Sequence, residues 1–268
     1  MRRWIPFVVL STAGCAGAPR TALPTTDAPS GGTGLSPVER LLEASDIASV
    51  VDQRARVFTR QVAILVSDLS DEELGRLVPA VQQGFAAELL RGDVATFIES
   101  EATEGRIDDV LAWLEGGATA EARQRVSAYT PPLSLQDWLT EYTDDPPSEE
   151  RVRLIARWTE AGGEGDFFVL LDEALAEAAF AVRGVLRPGS PEFAPIQGGE
   201  LRERLERSFG ASVLATLHES ETVPDDVVRA AITELDSEAG RWYVLTWQLA
   251  VAEAVRSAGR RVVASLAG

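Results

Sequence analysis

The residues best placed for chemistry sit in a seven-residue stretch that occurs twice. Ala95-Thr96-Phe97-Ile98-Glu99-Ser100-Glu101 matches Ala215-Thr216-Leu217-His218-Glu219-Ser220-Glu221 at five of seven positions, with Phe exchanged for Leu at a sixth. Glu99, Glu101, Glu219 and Glu221 therefore fall at equivalent places. If the two copies face each other, these carboxylates can converge for acid–base work or to bind a cation. Residues two apart on a helix point to different sides, so at most one of each pair reaches a shared cleft. His218 is the only histidine. It lies beside Glu219 and aligns with Ile98, and a position that takes Ile in its twin favours packing over catalysis. One histidine without a His-Glu-x-x-His run leaves the usual zinc sites short of ligands. A serine triad lacks its Gly-x-Ser-x-Gly elbow. The plainer reading, polar residues at a helix end, is preferred. Glu99, Glu101, His218, Glu219 and Glu221 remain the candidate polar site, no residue is assigned as catalytic, and no metal or cofactor is expected.

Other chemistry-bearing patterns are weaker. Gly162-Gly163-Glu164-Gly165 lacks the Lys-Ser/Thr of a phosphate loop and follows a helix rather than a strand. Trp113, Trp138, Trp158, Trp242 and Trp247 suit a sugar or lipid pocket, but at helical spacings among aliphatic residues they read better as core.

The elements that must position these residues read as helices. Ser36-Pro37-Val38-Glu39 is a capping box with proline in the first turn. Ser70-Asp71-Glu72-Glu73 is another, followed by Leu74, Leu77, Val78 and Val81 at helical spacing. Ser134 to Asp137 is a weaker version. Pro131-Pro132 and Pro146-Pro147 break the chain, and alternating apolar and polar runs with hairpin turns are missing. Asp166 to Leu186 forms the most apolar helix, with a stripe of Phe168, Leu171, Leu175, Ala178, Val182 and Val185. Phe167, Leu170, Ala174 and Ala181 widen the arc, as in the central helix of a bundle. Asp172, Glu173, Glu177 and Arg183 make a membrane span costly there. A last helix is expected from about Ser237 to Ala264, with Trp242, Leu245, Leu249, Ala252 and Val255 inward.

The duplicated stretch has weak flanking similarity. Val110 to Glu115 compares with Ala231 to Asp236, and Phe85 with Phe209. The separation of the copies exceeds solenoid periods of about 20–50 residues. The expected fold is all-α, a helical bundle of two related halves, residues 36–145 and 146–268.

Cys15, the only cysteine, carries a different message. Arg2 and Arg3, an apolar run from Ile5 to Leu10, and Thr12-Ala13-Gly14 precede it. Residues 1–14 are too short for a bilayer span, which takes about 20 apolar residues. Their layout is that of a removable signal. Cleavage before Cys15 would leave its sulfur to carry lipid, and each buried methylene of an acyl chain adds about 0.8 kcal/mol of anchoring. Thr12 departs from the aliphatic residue expected three before such a cysteine. The rival is ordinary cleavage after Ala16-Gly17-Ala18, which Pro19 disfavours. Residues 15–35 then form the modified cysteine and a flexible tether rich in Pro, Thr, Gly and Ser, with a reach of about 25 Å. One cysteine excludes an internal disulfide framework.

Without Arg2 and Arg3 the chain keeps 23 basic and 42 acidic residues, a net of −19. Nucleic acid is excluded as a partner, since binding it needs a basic footprint. Direct adsorption to anionic lipid is disfavoured, so membrane contact is expected through the lipid anchor.

The layout resembles an uncharacterised family of exported bacterial helical proteins, a domain of unknown function. Leu41-Leu42-Glu43-Ala44-Ser45-Asp46 is similar to its opening, and Leu69-Ser70-Asp71-Glu72-Glu73-Leu74 to its later helix start. Trp113 to Gly117 and Leu235 to Arg241 approximate its helix junction without the proline. The resemblance covers most of residues 38–255 as two copies. It implies an all-helical exported protein and carries over no catalytic residue. Ala16 after Cys15 resembles enterobacterial sorting to the outer membrane. The expected function is a non-catalytic envelope protein, a helical binding or scaffolding module for another envelope component. Two alternatives stay open. A carboxylate-dependent hydrolase requires Glu99 or Glu219 buried in a cleft, and a carrier of an apolar ligand requires a cavity near the Asp166–Leu186 helix.

Overall fold

The computed structural model describes residues 34–45, 69–103, 105–142, 144, 146–189 and 192–268. Cys15, the signal and residues 15–33 of the expected tether lie outside the described residues. Those described form eleven α-helices and no strand. In chain order they are α1 Pro37–Ala44, α2 Asp71–Gly84, α3 Ala87–Glu101, α4 Arg106–Gly116, α5 Ala118–Ala128, α6 Leu135–Tyr142, α7 Glu149–Ala161, α8 Glu164–Leu186, α9 Gly198–Glu219, α10 Asp225–Leu235 and α11 Glu238–Ala267.

The start signals act where the sequence places them. Ser36 and Ser70 accept from the backbone of Glu39 and Glu73, whose carboxylates return to the serine N–H groups at 2.7 and 2.8 Å. Each box satisfies two N–H groups that a helix start leaves unpaired. Ser134 accepts from Asp137 at 3.2 Å ahead of α6. Ser237 opens α11 in the same manner.

α8 and α11 pack along each other and form the spine. The wide apolar arc of α8 is buried at Phe167, Leu171, Ala174, Leu175, Ala178 and Val182. α11 is rolled relative to the sequence expectation. Leu245 is 59% exposed and Leu249 37%, and Trp242 is only partly buried, while Ala252 and Val255 are buried as expected. The inward face also carries Tyr243, Ala250, Val251, Ala254, Ala258, Gly259 and Val262. The reason lies in helix spacing. A Cβ on Gly259 would lie 2.5 Å from the Cβ of Ala178, so the two backbones touch there. Small residues set this approach, and the larger leucines are left outside.

Apolar side chains gather in two clusters. The first unites α1, α2, α3, α4, α8 and α11. The second unites α5, α7, α9 and α10, with Trp138 and Tyr142 of α6 against it. The clusters do not divide the chain at residue 145. α5 and α6 join the second, and α8 and α11 join the first. All five tryptophans singled out from sequence flank these clusters as partly buried residues. No described helix is long and apolar enough to cross a membrane.

Arginines clasp helix ends across the fold. Arg76 donates to the Leu266 carbonyl at 2.7 Å, Arg261 to Gly84 at 3.1 Å and Arg151 to Ser220 at 2.7 Å. Arg123 donates both to Ala44, ending α1, and to Leu114, ending α4, at 3.1 Å for the latter. The last carbonyls of a helix lack intrahelical partners and carry partial negative charge. All 25 basic residues of the chain are arginine.

Candidate functional site

The carboxylates of the two matching stretches sit at the ends of helices of different clusters. Glu99 and Glu101 are exposed at the end of α3, whose Leu90, Val94 and Ile98 enter the first cluster. Glu219 and Glu221 follow Val213 and Leu217, which enter the second. Ile98 is buried as expected of a packing residue. His218 is buried too, its Nε2 facing the Leu133 carbonyl at 2.9 Å and its ring 5.4 Å from that of Trp138. A carbonyl only accepts, so Nε2 carries a hydrogen. His218 thereby holds the chain leading into α6. Glu221 accepts the Tyr129 hydroxyl on the same side, and this bond, with lesser burial and charge repulsion, pushes the phenol up to about 12. His218 and Glu221 therefore fasten the 129–142 excursion to the end of α9.

The most perturbed carboxyl is one that the sequence pattern passed over. Glu164 opens α8 directly after the Gly162-Gly163 turn. Gly163 has φ +65°, a left-handed conformation that favours glycine. A Cβ there would lie 2.5 Å from Nε2 of Gln248, which donates to the Gly163 carbonyl at 2.9 Å. The turn thus aims Glu164 at α9, where Thr216 donates to its Oε2 at 3.4 Å. Glu164 is half-buried as a residue, but packed atoms crowd its carboxyl. Burial pushes that carboxyl up to about 7, the Thr216 bond opposes the rise, and the charge of Glu219 adds to it. Glu219 is exposed as a residue, yet partial burial also raises its carboxyl, with His218 opposing. Desolvation dominates both shifts because it disfavours the charged form.

Ser212, Thr216 and Glu219 occur at i, i+4 and i+7, one face of α9. The buried hydroxyls of Ser212 and of Thr159 on α7 have no hydrogen-bond partner among the described residues. That polar stripe beside the apolar Val213 and Leu217 was the available signal for this site. A carboxyl near neutrality beside a second carboxyl can exchange a proton near physiological pH.

Two open clefts lie elsewhere. One of about 330 Å³ is lined by Ala44, Leu114, Glu115, Arg123 and Gln124. Another of about 410 Å³ lies between Thr103, Arg106, Asp109, Ser237 and Glu238. Neither includes the candidate carboxylates. Among the described residues no group of three or more His, Asp or Glu gathers to hold a metal ion. Comparisons with protein-family models, with curated proteins and with solved structures find no match.

Proposed function

We propose that this chain is a lipid-anchored envelope protein of a bacterium, attached through Cys15, whose helical body serves as a binding or scaffolding module at the periplasmic face of the outer membrane. The observation that carries the reading is the ordered run of Arg2-Arg3, apolar segment, Thr12-Ala13-Gly14 and Cys15 ahead of a Pro/Gly-rich stretch and an acidic helical body. The resemblance to exported helical proteins supports the same placement. The acidic surface favours a partner with basic groups.

Two related halves belong to this proposal. A helix, a short loop and an eleven-residue helix occur as α3–α4 and again as α9–α10. α1 packs on α3 and α4, and α7 packs on α9 and α10. These parallels support an ancestral duplication whose copies exchanged α5 against α8 and α11 in building their cores.

Mass spectrometry of the mature N-terminus tests the anchor: a diacyl or triacyl Cys15 is expected, and an unmodified cysteine overturns it. Photo-crosslinking in native envelopes, comparing wild type with Cys15→Ala, tests the module. A specific protein partner lost on mislocalisation supports it. A co-purified lipid without a protein partner replaces it with the carrier reading. At Ala178 and Gly259 the backbones of α8 and α11 meet, which leaves no room for a lipid at that point.

A further inference from the structure

Glu164 lines neither of the two clefts described above, yet it occupies the seam between the two hydrophobic clusters. α8 runs from this residue into the first cluster, and α9 carries Val213 and Leu217 into the second. The seam is tight. A Cβ on Gly165 would lie 3.1 Å from the Cα of Phe209, so the backbones of α8 and α9 are close. One turn further along α9, Ser212 is buried without a partner, and the next turn brings Thr216 to Glu164.

We propose that this joint is a proton-controlled clasp: the tight seam between α8 and α9 closes over Glu164 in its neutral form, and ionisation places an uncompensated charge among the packed groups, beside Glu219, and loosens the seam between the two clusters. The charges around the joint leave that response to these two groups. From α9 the facing titratable group is Glu219, while His218 turns to Leu133 and Trp138. From α11 the polar group is uncharged Gln248, on the Gly162 and Gly163 carbonyls. From α7, Arg157 is engaged by Glu160 at 3.1 Å and by Asp236 at 2.6 Å. No cation among these compensates an ionised Glu164.

The sign follows from proton binding. The folded state holds the Glu164 proton up to about pH 7, while the unfolded chain releases it near pH 4.3. Between these values the folded state binds more protons, so its stability falls as pH rises and is lowest above the folded value. Local opening at the seam shares that dependence. Hydrogen exchange of full-length protein, read as protection of the amides at 164–168 and 212–219, tests the proposal. Protection in wild type is expected to fall by roughly ten- to a hundredfold from about pH 5 to about pH 8. Glu164→Gln should hold protection constant across that range. Glu219→Gln should shrink the fall and move its midpoint to lower pH. Glu101→Gln, which removes the same charge away from the seam, should leave the fall intact. Equal protection at both pH values in wild type overturns the clasp, as does an undiminished fall in Glu164→Gln. If Glu164→Gln does not fold, Glu164→Met is read in its place, and an undiminished fall there refutes the clasp. Loss of the fall in Glu101→Gln would assign the response to net charge instead.

Discussion

Arg123 shows how much one side chain can hold. Its guanidinium reaches the carbonyl ends of α1 and α4 together, from a third helix. The planar fork offers two donors in fixed directions, which an ammonium on a flexible stem does not reproduce. Arg123→Lys is therefore expected to lower stability by about 1–2 kcal/mol despite retained charge, because one carbonyl loses its partner. Urea denaturation reads this directly, and an unchanged midpoint would show that water replaces the fork. At this scale the sequence was only partly informative. That His218 takes a buried position was legible from Ile98 in the matching stretch, and both residues are buried. Glu164 was not legible, because its environment comes from α9, some fifty positions away. Among many acidic residues, one carboxyl is singled out only by the crowding that tertiary packing creates.

At the scale of elements, local signals and packing compete, and α2 shows both. Its capping box marks the start within a residue, yet Pro79 sits inside the helix. Proline removes one backbone donor and crowds the carbonyl four residues earlier. Leu77, Ala80 and Val81, all buried, keep the helix continuous across it. Pro79 is exposed, so Pro79→Ala should stabilise the protein by about 1–3 kcal/mol. A fall in the melting temperature would instead mean that α2 is bent to fit. The α8–α11 contact responds in the opposite direction. Gly259→Ala places a methyl against Ala178 and should destabilise by about 1–3 kcal/mol through overpacking. Calorimetry on that variant would sink the claim by showing an unchanged transition. The roll of α11 was hidden for the same reason. Leucine, valine and alanine occupy several of its faces, and periodicity does not say which face meets a neighbour. The pair of backbones able to touch decided it, leaving Leu245 outside.

For the whole molecule, charge is the dominant sequence-level fact. The large negative net charge, −17 for the whole chain and −19 without Arg2 and Arg3, makes the folded body repel itself, and most ion pairs are partly exposed. Exposed pairs contribute little, so screening removes more repulsion than attraction. Raising NaCl from about 20 to about 300 mM shortens the screening length below about 10 Å and should raise Tm by a few degrees. A steady decline with salt would show that the pairs outweigh the net charge. The all-helical class was legible from caps, breaks and the wide apolar arc of residues 166–186. The sharing of helices between two clusters was not, since it depends on which long helix becomes the common support. That support is framed by arginine alone, and guanidinium stays protonated throughout the range in which Glu164 titrates. The clasps on the helix ends thus form a permanent cationic frame against which a single carboxyl can switch. The same composition leaves no ammonium side chain on the body. Acylation, glycation and isopeptide ligation at lysine have no target here, and the abundant modifiable groups left are carboxylates, hydroxyls and the guanidinium groups that hold the helices in place.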